Sequence, residues 1–127
     1  MNLVDTCGWI EWLSDGKLQS SFAKYLKDTH KLIIPTIVQY ELFKWVCRER
    51  DEACALDIIG VTEASTVIPL DTSIAILAAK LSRQHKLAMA DSLILASAQK
   101  SRAQVITCDS HFKNLPGVIY FDKSHSH

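Results

Sequence analysis

Four carboxylates stand where an acid is costly: Asp5, Glu41, Asp91 and Asp109. Asp5 closes the short run Asn2-Leu3-Val4, and Asp109 follows Gln104-Val105-Ile106-Thr107 by one cysteine. Glu41 falls one turn after Ile37 and one before Trp45, on the face of a helix that should pack inward. Asp91 opens Asp91-Ser-Leu-Ile-Leu-Ala-Ser-Ala98 and shares a stripe with Ile94, Leu95 and Ala98. Two acids at strand tips and two on apolar helix faces would point into one region. Carboxylates about 4 Å apart repel by roughly 4 kcal/mol at an effective dielectric of about 20. They also raise one another's pKa values unless a positive charge sits among them. Apart from His111 near Asp109, no basic residue adjoins these positions. Oxygen ligands of this kind suit Mg²⁺ or Mn²⁺, and such a centre acts on phosphate esters. A plainer reading stands beside this one: Asp5, Asp91 and Asp109 also fit helix N-caps, and Glu41 could snorkel to solvent or meet an arginine.

The elements that would carry these acids alternate. Asn2–Val4 reads as a buried strand leading into a helix with Trp9, Ile10, Trp12 and Leu13, ended by Asp15-Gly16. Leu18, Phe22, Tyr25 and Leu26 form a second helical stripe. Leu32–Ile34 is a strand closed by Pro35. Thr36 and Gln39 fit a capping box for a helix to Glu49. A further helix follows Asp51 and stops at Gly60, taken as its C′ glycine. Thr66–Ile68 is the third strand, and Asp71 caps a helix to about His85 with Ile74, Leu77, Ala78 and Leu81 inward. Ala75, Ile76 and Ala79 give that helix a second apolar side, which requires deep burial or a subunit contact. The last helix spans about Ala90 to Arg102; strands Gln104–Thr107 and Val118–Phe121 follow, the latter after the Pro116-Gly117 turn. Five short strands alternating with helices predict a three-layer α/β sandwich on a mainly parallel sheet. In open sheets of this kind, chemistry collects at the carboxyl ends of the strands where strand order reverses.

The chain has 127 residues, enough for one domain with an ordinary core: residues 1–122, with 123–127 expected as a loose tail. Apolar residues make up 48% and charged residues 22%, with no run long enough to span a membrane and no signal-peptide pattern. A cytoplasmic protein is expected. The four cysteines have no metal-site or redox spacing and read as reduced, partly buried thiols. Fourteen basic residues balance fourteen acidic ones. A phosphate-bearing partner must therefore be met by a local patch or through a bound cation, because no general basic surface is available. Lys44 and Arg48, on the turns after Glu41, and Arg83 and Lys86, ahead of Asp91, are the candidate phosphate contacts; each also fits a solvated helix face. Trp9, Trp12 and Phe22 are candidates to stack bases, to fill the core, or to line a groove for a partner helix.

At the acids the sequence resembles the PIN-domain nucleases and, in size and motif layout, the VapC-type toxins of toxin–antitoxin pairs. The similarity covers nearly the whole chain. Asn2-Leu-Val-Asp5-Thr6 is similar to the family's opening strand, Tyr40-Glu41-Leu42 to its second acidic motif, and Ala90-Asp91-Ser-Leu-Ile-Leu-Ala96 to its third. Thr107-Cys-Asp109 with Phe112 resembles the fourth, where many members carry another acid at the place of His111. The resemblance implies a sheet of order 3-2-1-4-5, which would set Asp5 beside Asp109. It implies Mg²⁺- or Mn²⁺-dependent cleavage of RNA by a homodimer that a cognate, VapB-like antitoxin neutralises. Asp5, Glu41 and Asp91 would hold the principal ion, Asp109 would complete the site, and Thr6 and Thr107 would orient carboxylates or waters. Water would attack phosphorus in line and expel the 3′-oxygen, leaving 5′-phosphate and 3′-hydroxyl ends. An RNA-processing nuclease without an antitoxin, or an inactive fold that only binds a partner, are the alternatives. A receiver domain or a haloacid-type phosphatase fits poorly, since Asp5 is followed by Thr6 and Cys7.

Overall fold

The structure is a computed structural model and describes residues 1–125. Its centre is a five-stranded sheet: β1 (Asn2–Val4), β2 (Leu32–Pro35), β3 (Thr66–Ile68), β4 (Gln104–Thr107) and β5 (Val118–Tyr120). All four strand pairings are parallel and the order is β3-β2-β1-β4-β5. The middle strand pairs on one side through Asn2↔Leu32 and on the other through Leu3↔Val105 and Val4↔Ile106. Leu3, Val4, Ile34, Val105 and Ile106 are fully buried, as central strands covered on both faces must be. Strand order reverses at β1, so β1 and β4 end side by side at the point where a parallel sheet opens a crevice.

Six helices complete the layers: α1 (Thr6–Leu13), α2 (Gln19–Leu26), α3 (Thr36–Glu49), α4 (Glu52–Thr62), α5 (Thr72–His85) and α6 (Met89–Lys100). Asp51 and Asp71 cap α4 and α5 by accepting the Cys54 and Ile74 N–H groups at 2.7 and 2.9 Å. Between α1 and α2, Asp15 takes φ 54°, and Lys86 ends α5 in the left-handed region at φ 56°. Phe22 and Phe112 are wholly buried and Trp9 nearly so; Phe22 meets Phe121 edge to face at 5.4 Å. Trp9 and Phe22 therefore belong to the core and offer no ring to a nucleic-acid base.

Local signals were overridden at the start of α3 and inside α4, and element ends differ elsewhere by a residue or two. Thr36 and Gln39 form no capping box: α3 is preceded by Pro35, which has no side-chain cap. Thr36 Oγ1 instead accepts the Leu70 N–H at 3.2 Å, while the Gln39 amide donates to Thr62 at 3.0 Å. Tertiary partners claimed both side chains. Gly60 does not stop its helix either, because α4 continues to Thr62. The last helix starts at Met89 and ends at Lys100, and β5 ends at Tyr120. Lys123–His125, expected in the tail, form one 3-10 turn, and Lys123 Nζ reaches Glu11 Oε2 at 3.3 Å. Ser126 and His127 lie outside the described residues. All four cysteines are free thiols, and no described helix is long and apolar enough to cross a membrane.

Candidate metal centre

Asp5 caps α1 and stands at the end of β1, beside the end of β4. Its Oδ1 accepts the Thr6 N–H at 2.8 Å, which starts α1, and its Oδ2 accepts the Thr107 hydroxyl at 2.8 Å. Thr107 ends β4 and is itself fully buried; its oxygen also accepts the Asp109 N–H at 2.9 Å. One hydroxyl thus ties the first acid to the backbone of the fourth. A carboxylate oxygen retains lone pairs after accepting one hydrogen bond, so these contacts orient Asp5 without exhausting it.

Glu41 enters from α3, where Val38, Leu42 and Val46 face the core. Its Oε1 accepts the Thr6 hydroxyl at 2.6 Å, so the residue that follows Asp5 also holds Glu41. Asp91 sits in the first turn of α6, but the cap position is Ala88. The cap reading therefore fails for Asp91, whose side chain is left for other work. Asp109 caps a short 3-10 turn, Ser110–Phe112, through the His111 N–H at 2.9 Å.

The turn carries the His111 ring back over the acids. Nδ1 lies 2.9 Å from Asp109 Oδ1 and 3.5 Å from Asp91 Oδ2. One potential ligand atom from each of Asp91, Asp109 and His111 falls within 4.8 Å of the others. Asp5 and Glu41 are outside that tight group but close enough to act on it. Burial first, then Asp109 and Glu41, push the Asp91 carboxyl above its ordinary value, and His111 opposes them. Asp5 is pushed well up, by burial above all, with a further contribution from Asp91. Among the described residues no Lys or Arg forms an ion pair with any of the four acids. Two of the four are thus held in an environment that disfavours their charge. Oxygen donors under this strain, with one imidazole beside them, fit a divalent cation.

Of the four candidate phosphate contacts, Lys86 is the one beside the acids. With His85, Leu87, Ala88, Asp91 and His111 it lines a recess of about 290 Å³. Lys44 lies over the Tyr40 ring at 5.9 Å, Arg48 pairs with Glu49 at 3.5 Å, and Arg83 is exposed near the end of α5. Sequence reasoning passed over Cys7. Its thiol donates to Asp5 Oδ2 at 3.5 Å and its sulfur accepts the Cys108 N–H at 3.3 Å. The contact with Cys108, followed by burial, drives the Cys7 pKa upward, so this thiol stays protonated. Its place two residues after Asp5, at the start of a helix, was the available signal.

Comparison with known proteins bears on the family and the fold. The sequence model of the PIN domain matches residues 3–118. A toxin–antitoxin complex from Klebsiella pneumoniae superposes with a TM-score of 0.80 at 23% identity, covering 94% of this chain and 96% of that one. VapBC of Salmonella typhimurium, solved bound to DNA, gives 0.71 at 22% identity, with 97% and 99% covered. The sarcin–ricin-loop-cleaving toxin VapC20 of Mycobacterium tuberculosis gives 0.71 at 13%, with 96% and 90% covered. At these identities the likeness is one of fold. No match was found among curated protein sequences.

Proposed function

The chain belongs to the PIN domain family, and from that premise we propose that it is a divalent-metal-dependent endoribonuclease, the toxin of a toxin–antitoxin pair. The observation that carries this reading is the meeting of Asp91 and Asp109 within 4.8 Å, beside a buried Asp5, with no Lys or Arg paired to them among the described residues. Clustered carboxylates that raise one another's pKa values are stabilised as charged groups when a cation sits among them, and among the described basic residues His111 alone faces two of the four.

In this reading Asp5, Glu41, Asp91 and Asp109 hold Mg²⁺ or Mn²⁺, directly or through water. The ion supplies Lewis-acid polarisation of a phosphate oxygen and makes a nucleophilic water available at neutral pH. The protein's part is to fix the acids: Thr107 holds Asp5 by a hydroxyl that also anchors the Asp109 backbone, and Thr6 holds Glu41. Lys86 offers its ammonium to a substrate phosphate entering over Asp91. Hydrolysis leaves 5′-phosphate and 3′-hydroxyl ends, and the 2′-hydroxyl is not needed as nucleophile.

An antitoxin partner is supported by the fold-level neighbours, among them a toxin–antitoxin complex and VapBC. An open apolar groove between α3 and α4 is lined by Tyr40, Phe43, Leu56 and Ile59, with Tyr40 and Leu56 exposed by more than half. Homodimerisation is supported by the apolar outer side of α5.

Purified protein is expected to cleave RNA with Mg²⁺ or Mn²⁺, to stop with EDTA, and to leave ends that polynucleotide ligation identifies as 5′-phosphate. Asp91→Asn should abolish cleavage; a variant that cuts at the wild-type rate sinks the reading. The product of a small neighbouring reading frame, added to the same assay, should inhibit. A processing nuclease without an antitoxin would have no such inhibitor.

A further inference from the structure

The reading above uses only oxygen ligands, yet the tightest cluster contains a nitrogen. We propose that His111 is itself a ligand of the metal, acting through Nδ1 with Asp91 and Asp109, and that this nitrogen turns the site from Mg²⁺ towards first-row transition ions. The inference rests on the acids forming a metal site, and adds which ion they prefer.

Two observations carry it. The ring nitrogen is within hydrogen-bond distance of Asp109 and close to Asp91, so an atom placed among them would meet all three with little rearrangement. The residue's position is also fixed from behind. The His111 N–H is tied to Asp109 Oδ1 at 2.9 Å, and the neighbouring Phe112 is fully buried. A backbone so anchored, under a side chain that is 72% exposed, lets the ring turn while its base stays in place.

The chemistry then separates ions. Mg²⁺ takes hard oxygen ligands and keeps its waters, and gains little from imidazole. Affinity for a site with nitrogen rises from Mn²⁺ through Co²⁺ and Ni²⁺. A set that includes an imidazole therefore favours Co²⁺ over Mg²⁺ more strongly than carboxylates alone would.

Co²⁺ is the probe, because its visible spectrum reports its ligands. His125 and His127 are first changed to alanine so that tail imidazoles cannot contribute. Titration calorimetry and absorption then compare His111 with His111→Ala for Co²⁺ and Mg²⁺. The proposal expects Co²⁺ affinity to fall by about tenfold or more in His111→Ala with an altered visible band, and Mg²⁺ affinity to change by less than about threefold. His85→Ala, in the same recess, should leave both affinities in place. If Co²⁺ binds equally well with and without His111, the imidazole is no ligand and the proposal falls, while the acid site stands. If the parent chain binds neither ion, both readings fall. A thiolate charge-transfer band that persists in His111→Ala at undiminished affinity would assign the soft ligand to Cys7 or Cys108 and overturn the proposal.

Discussion

Asp5 shows how one carboxylate can serve two ends. It begins α1 and accepts from Thr107, and only 4% of its surface is exposed. Burial holds its pKa well above 3.8, so the folded chain binds that proton more tightly than the unfolded chain does. For an acid shifted upward, the stabilising contribution is fully present below the unfolded value of 3.8 and is lost as pH rises through the folded one. Metal-free protein should accordingly lose stability over that window as pH rises. Asp5→Asn keeps a good cap and removes the charge. Its metal-free form should melt above the wild type at pH 7, and the pH slope should flatten. Cleavage should fall by at least about a hundredfold, since loss of a ligand exceeds the 10- to 100-fold typical of an outer partner. Thr107→Val is the complementary test. It leaves the buried Asp5 Oδ2 only the long Cys7 thiol contact and removes the acceptor of the Asp109 N–H, which should cost about 1–3 kcal/mol by denaturant unfolding. The sequence marked all four acids by position but could not choose between cap and site for Asp5, Asp91 and Asp109, or between solvent, an arginine and the site for Glu41. Asp5 and Asp109 do act as caps, and that role is compatible with the proposed site role, so no local rule could have decided. His111 was visible only as a neighbour of Asp109, because its ring direction depends on a turn that Asp109 itself closes.

Among the elements, α1 sets the site's geometry, since its first residues carry Asp5, Thr6 and Cys7. Its distance from the sheet is set by Gly8, where a Cβ would come within 2.6 Å of both Phe22 Cδ1 and Val4 Cγ1. Gly8→Ala would gain up to about 1 kcal/mol in helix propensity but force α1 off β1 and α2. Overpacking of this kind costs about 1–3 kcal/mol, so the denaturation midpoint should drop and activity should fall with the displaced Asp5. The helices themselves were legible because their apolar stripes repeat over several turns, as at Leu18, Phe22, Tyr25 and Leu26. Their ends were less so. Thr36 and Gln39 had the right spacing for a box but found partners in the strand–helix junction at Leu70 and in Thr62. Gly60 looked like a stop, yet no atom comes within 4 Å of a Cβ built there, and the helix simply passes through it. End signals are weak because one tertiary hydrogen bond matches them in energy.

At the scale of the whole molecule, alternating strands and helices announced a parallel sheet, but periodicity could not order its strands. That order came through the family resemblance, and the sheet is wholly parallel in the sequence 3-2-1-4-5. The second apolar side of α5 was open between burial and a subunit contact; Ile76 is 54% exposed, as are Leu70 at 51% and Met89 at 73% nearby. Burial within the chain is excluded, and a second copy is the proposed cover. Ile76→Asp should convert a dimer to a monomer in sedimentation while leaving the circular dichroism spectrum intact; a wild-type monomer at micromolar concentration would refute it. The pairing of β1 with β4 has one more effect. Asp5 and Thr107 lie 102 residues apart in the chain, and their hydrogen bond needs both strands in place. During translation, then, a nascent polypeptide already carrying Asp5, Glu41 and Asp91 has no completed centre until the segment through Asp109 has left the exit tunnel. Under the proposed nuclease reading, no working copy exists while synthesis is under way.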